Sequence, residues 1–128
     1  MMKKAIFFIL GIAFLTLGCA EQVAKQVDAN EFETLMADDA TVQVIDVRTP
    51  DEYAQGFIKN STLINFNNPS FKTQLEGLDK NKAVAVYCHS GARSNQAFEM
   101  MKEMGFKKIY ELEGGIVAWQ AGGKQIQR

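Results

Sequence analysis

The sequence predicts an α/β fold, a central and mainly parallel sheet with helices on both faces, and three observations carry the prediction. Four apolar, β-branched runs of four to six residues alternate with segments that open on helix-start signals, the order that builds a parallel sheet through crossover helices. The third run, Ala83–Tyr87, is apolar throughout, as a central strand covered on both sides should be. Length and composition agree: 128 residues hold one domain, and 47% apolar with 23% charged residues is the balance of a folded globular chain.

The first segment in the chain stands apart from this pattern. Met1–Lys4 carries Lys3 and Lys4, Ala5–Leu17 is almost wholly apolar, and Gly18, Cys19 and Ala20 follow, which is the layout of an export signal. The apolar run of about thirteen residues is shorter than the roughly twenty that cross a bilayer as a helix. Leu15–Cys19 resembles the lipobox of bacterial lipoproteins, in which cleavage leaves the cysteine first and its sulfur takes a diacylglyceryl group. Gly18 and Cys19 fit that pattern; Thr16 and Leu17 depart from it. The resemblance implies a signal peptide over 1–18 and a lipidated Cys19. A polar tether over 19–27 and a folded domain over 28–128 complete this division. Two or three acyl chains, at roughly 0.8 kcal/mol per buried CH₂, would hold the domain on a membrane facing the periplasm or cell exterior. Ordinary cleavage after Ala20, giving a soluble periplasmic protein, is the alternative. Loss of Lys3 and Lys4 leaves twelve basic against fifteen acidic residues, about −3, and a single thiol, Cys88.

Within the domain, Asn30 followed by Glu33 has the form of a capping box and predicts a helix through about Met36. Val42–Val47 reads as the first strand. Thr49-Pro50-Asp51-Glu52 is a second capping box, with Pro50 at the position where its missing N–H costs nothing. Leu63–Phe66 is the second strand, Asn68-Pro69 opens a helix over Ser70–Glu76, and Ala83–Tyr87 is the third strand. The next helix runs from about Ala92 to Met104: Ala97, Met100, Met101 and Met104 share one face, a packing stripe, and Gly105-Phe106 form a Schellman end. Lys108–Leu112 is the fourth strand.

Ligands in such folds bind beyond the C-terminal ends of the strands, which here means Asp46–Arg48, Cys88–Ser94 and Glu113–Gly115. The chemistry concentrates at Cys88-His89-Ser90-Gly91-Ala92-Arg93-Ser94, a thiol at the end of a buried strand, a loop with a glycine, and a helix start. Loop and first-turn N–H groups converge there and the helix dipole adds positive potential, a field that favours the reactive thiolate and can hold an anion.

These residues resemble a known family. Asp46-Val47-Arg48 with Glu52-Tyr53 and Gly56, the Cys88–Ser94 loop, and Leu112-Glu113-Gly114-Gly115-Ile116 with Trp119 look like a single-domain rhodanese over about residues 27–124. One position departs: rhodaneses commonly carry Gly-His-Ile where this chain has Gly56-Phe57-Ile58. The resemblance implies a rhodanese-like sheet of about five strands and a two-step sulfur transfer through a Cys88 persulfide. A sulfane donor such as thiosulfate would supply the sulfur and cyanide or a thiol would accept it, without cofactor or metal. His89, Ser90, Gly91, Ala92, Arg93 and Ser94 would cradle the sulfur. Arg93 would bind an oxyanion donor or brace the loop through a salt bridge. His89, adjacent to Cys88 in the loop, is expected to point away from it. Asp46 and Arg48 are expected to pair behind the site, with Glu52 as a further partner. Glu113-Gly114-Gly115 should turn tightly with positive φ, and Trp119 should pack in the core.

Composition narrows the alternatives. Two cysteines and one histidine are too few for a disulfide scaffold or a four-ligand zinc site, and the charge balance offers nucleic acid no basic surface. A monomer acting on small sulfur anions and thiols is expected. One rival is a phosphatase or arsenate reductase on the same fold, which cradles its oxyanion with five residues between Cys and Arg where this chain has four. The other is a persulfide relay or sensor that turns thiosulfate over weakly.

Overall fold

The computed structural model describes residues 21–128 and Gly11; the signal peptide expected over 1–18 and the lipidation expected at Cys19 fall otherwise outside the described residues. The elements in chain order are β1 (Val23–Val27), α1 (Ala29–Asp38), β2 (Gln43–Asp46), α2 (Pro50–Ala54), β3 (Thr62–Leu63), α3 (Phe71–Glu76), β4 (Val84–Tyr87), α4 (Ala92–Glu103), β5 (Lys108–Leu112) and α5 (Gly115–Ala121). The five strands form one parallel sheet in the order β1-β5-β4-β2-β3. The wholly apolar β4 is central, and all four of its residues are buried.

Strand alternation sorts the core into two layers. Ile45, Val84, Val86, Cys88 and Ile109 face α3 and α4, where Leu75, Ala97, Phe98 and Met101 pack. Val44, Ala85, Tyr87 and Leu112 face the other way, against Phe32 of α1 and Ile116 and Trp119 of α5. Met100 and Met104 border the first layer, so the methionine stripe is a packing face. Trp119 lies edge-on to Phe32 at 6.1 Å and donates its indole N–H to the Gln125 carbonyl at 2.9 Å.

Several sequence expectations hold to the residue. Thr49 and Glu52 form the reciprocal capping box of α2. The end of α4 is a Schellman motif, with Phe106 N–H on Met101 O at 3.2 Å and Gly105 N–H on Lys102 O at 3.3 Å. Others shift. The first helix is capped two residues earlier, by Asp28 accepting from the Glu31 N–H at 2.8 Å, and it runs on to Asp38. Asn68 is a turn residue ahead of α3, accepting from Ser70 N–H at 2.8 Å, and the helix itself starts at Phe71. The sheet also takes in most of the residues assigned to the tether. Val23–Val27 is an edge strand paired with β5 from Val23↔Lys108 to Val27↔Leu112, and the Gln22 amide docks on the Lys102 and Phe106 carbonyls. Lys25 and Gln26 gave the segment its polar look, and an edge strand accommodates such residues.

Candidate active site

β4 delivers Cys88 at the C-terminal edge of the sheet, and alternation turns its side chain toward α4. The thiol is free, and the residue is only 1% exposed. The chain then bends back at Gly91, whose φ of 114° lies in the region that favours glycine and which caps α4. The bend aims the Gly91 N–H at the Cys88 sulfur, 3.1 Å away, while the thiol itself reaches Ser94 Oγ at 3.3 Å. His89 and Ser90 are exposed in the loop, and Ala92 and Arg93 open α4.

The loop is held from behind by the start of α5. The Ile116 and Val117 N–H groups donate to the carbonyls of Cys88 and His89 at 2.9 and 3.2 Å. Gly115 lets the two backbones meet: a Cβ there would stand 2.6 Å from the Cys88 carbonyl oxygen, and its φ is 60°. The predicted turn at Glu113-Gly114-Gly115 therefore shapes the loop by backbone contact.

Two ion pairs flank this core. Arg48 clasps Asp46 through Nε at 3.0 Å and through its terminal nitrogen at 2.6 Å, and it reaches on to the Gly56 carbonyl at 2.7 Å. Both residues are buried, and Tyr87 underlies the guanidinium at 5.8 Å. Burial opposes the Arg48 charge, but the hydrogen bonds and charge of Asp46 outweigh it and raise the Arg48 pKa. Arg48 meets only the backbone carbonyl of Glu52. The Glu52 carboxylate instead takes Arg93 in a bidentate pair at 2.7 and 2.9 Å. That hydrogen bonding holds the Glu52 pKa down to about 2 and raises that of Arg93, with the nearby Cys88 contributing. The guanidinium is thus braced, and with its side chain 24% exposed it still presents charge at the mouth. Beside the loop lies a cleft of about 340 Å³ whose lining includes Arg48, Glu52, Gly56, His89, Ile116 and Arg128.

Glu111 on β5 joins the site, although the sequence reading passed over it. It is 2% exposed and accepts from Ser94 Oγ and from Gln26 Nε2, each at 3.0 Å. Burial raises its carboxyl pKa, and Glu113 adds to the rise. The signal available was parity: Ile109 and Glu111 share a strand face, so an inward Ile109 implies an inward Glu111. Phe57, the departure noted above, stacks on Tyr53 with ring centres 4.4 Å apart.

A single buried thiol, raised from a central parallel strand into a glycine-bent loop and backed by a helix start, defines an α/β domain built around one cysteine. The chain belongs to the rhodanese-like domain family, whose model matches residues 28–122. It is 32% identical over 104 residues to a sulfurtransferase of Allochromatium vinosum, covering 81% of this chain and 95% of that one. It is 34% identical over 80 residues to the thiosulfate sulfurtransferase GlpE of Coxiella burnetii, covering 62% of this chain and 73% of that one. The rhodanese-related protein of Thermoplasma volcanium superposes with a TM-score of 0.71 at 29% identity, over 80% of this chain and 97% of that one. The chain also matches tRNA uridine(34) hydroxylases, of which it spans about a third.

Proposed function

We propose that this protein moves sulfane sulfur from a donor such as thiosulfate to a thiol or cyanide acceptor through a persulfide on Cys88. The observation that carries the reading is the Gly91 N–H held 3.1 Å from the Cys88 sulfur, a fixed donor where negative charge must be stabilised. In the first step the thiolate attacks the outer sulfur of thiosulfate, the S–S bond breaks, and sulfite leaves with its electron pair. In the second, a nucleophilic acceptor takes the outer sulfur of the persulfide and returns Cys88 as thiolate. Arg93, oriented by Glu52, supplies positive charge for an anionic donor, and the named relatives of comparable length are sulfurtransferases. In this reading the domain acts as a monomer held on a membrane through lipid on Cys19 and faces the periplasm or cell exterior.

Mass spectrometry tests the activity: incubation with thiosulfate should add one sulfur atom to the protein, and none to Cys88→Ser. Failure to gain sulfur from any sulfane donor would overturn it. Intact mass of membrane-extracted protein tests the lipid, which should be present on Cys19 and absent in Cys19→Ala.

A further inference from the structure

One buried acid takes no part in the sulfur-transfer steps. Among the described residues no Lys or Arg pairs with Glu111, whose partners are neutral: Ser94, Gln26 and, more weakly, Asn95. The sheet brings these groups together. In register, Gln26 lies beside Glu111 and Val86 beside Glu111, so Gln26, Glu111 and Cys88 occupy one face of three adjacent strands. Ser94, on the first turn of α4 and fully buried, closes the gap.

Its hydroxyl has one proton and three acceptors within reach: Glu111 Oε1 at 3.0 Å, the Gly91 carbonyl at 3.2 Å and the Cys88 sulfur at 3.3 Å. While Cys88 is a thiol, it donates to Ser94 and Ser94 donates to Glu111. Once Cys88 is a thiolate, Ser94 can serve it by turning to the sulfur. The Glu111 carboxyl then keeps its hydrogen bond to Ser94 by carrying a proton of its own.

We propose that Glu111 is a positioning residue that takes up the Cys88 proton through Ser94, so that the thiolate forms inside the protein with no net change of charge. The S–H bond breaks as the proton passes to Ser94 Oγ, and the Ser94 hydroxyl proton passes to Glu111 Oε1. The proton stays on Glu111 while sulfite departs with the electrons of the broken S–S bond, and it is available to Cys88 when the acceptor releases the thiolate. The ionisable groups around the pair are Arg93 on α4 and Glu113 beyond β5, while β1 contributes the neutral Gln26. Burial and Glu113 both favour a protonated Glu111. This inference rests on Cys88 being the nucleophile, but its test does not need sulfur transfer.

The test is the pH profile of Cys88 alkylation by iodoacetamide. Two coupled groups titrate as a pair, so the native protein should show a two-step rise with a shoulder on the acid side. Glu111→Gln should show a single step lying about one pH unit below the main native rise, since its neutral amide still donates to Ser94 and no carboxylate opposes the thiolate; Ser94→Ala should show a single step with an acid-side rate lower by about tenfold, the size of a one-unit change in proton affinity. A single step of the same position in all three proteins overturns the proposal. A second measurement needs no variant: the carbon-13 shift of the Glu111 carboxyl should titrate in two steps in the native protein and in one after Cys88 is alkylated. An unchanged titration overturns it. A two-step profile in a protein that accepts sulfur from no donor would retain this proposal and remove the sulfurtransferase reading; a single step in an active enzyme would do the reverse.

Discussion

Asp46 and Glu111 are both buried carboxylates near the C-terminal ends of strands that border β4, yet their surroundings differ. Asp46 is locked to Arg48, and that guanidinium is anchored in turn on the Gly56 carbonyl. Glu111 has only neutral partners, chiefly the Ser94 hydroxyl and the Gln26 amide. A carboxylate matched to a buried cation keeps its charge and fixes geometry, whereas one held by neutral donors can exchange a proton with little rearrangement. The two sides of β4 therefore divide the labour. One side, facing Tyr87 and α5, is a clamp; the other, facing α4, lies against the thiol.

Breaking the clamp should have the largest effect. Arg48→Met leaves Asp46 buried without its cation and should cost about 3–5 kcal/mol in denaturant unfolding. A loss below about 1 kcal/mol would show that the pair is not a clamp. Next comes the backbone contact that both sides share. Gly115→Ala places a Cβ against the Cys88 carbonyl at a positive φ, and should cost about 1–3 kcal/mol and slow the proposed sulfur transfer.

The acid limb of the stability curve separates the carboxylates by sign. Glu52 has a folded pKa of about 2 against an ordinary 4.5, so its contribution is full above pH 4.5 and is lost as the pH falls toward 2. With partial solvent screening that contribution is about 1–2 kcal/mol, and it should vanish in Glu52→Gln. Glu111 runs the other way. Its raised pKa stabilises the fold below the ordinary carboxyl range, and that contribution is lost as the pH rises through the folded value. The smallest effect on stability is expected for Glu111→Gln, about 1 kcal/mol or less, because the amide can still accept from Gln26 and donate to Ser94. A thermal melt close to that of the native protein, together with the altered alkylation profile described above, would complete the contrast with Arg48→Met.

The comparison also marks what the sequence could reveal. The strand, loop and helix around Cys88 are contiguous, and local signals specified them: an apolar run, a glycine, a helical stripe and a Schellman end. β5 was legible over its whole length for the same reason. The start of α1 was not, because Asp28 with Glu31 and Asn30 with Glu33 both satisfy the capping pattern, and the packing of Phe32 against the sheet chooses between them. β1 escaped because Lys25 and Gln26 interrupt its apolar character, and only pairing with β5 identifies it. The Arg93–Glu52 pair and the Ser94–Glu111 hydrogen bond join residues 41 and 17 apart, and such partners are set by the tertiary fold.

The pairing of the first strand with the last has a mechanical consequence. Gln26 reaches Glu111 across 85 residues of chain, so the cysteine's surroundings are complete only after both ends of the domain have emerged and joined. A pull on the chain before Val23 would load the β1–β5 hydrogen bonds in shear, along the strand that carries Glu111. Tension at the amino end is thus felt at the sulfur, and a fragment beginning at residue 28 would keep Cys88 while losing the amide that steadies its neighbouring acid.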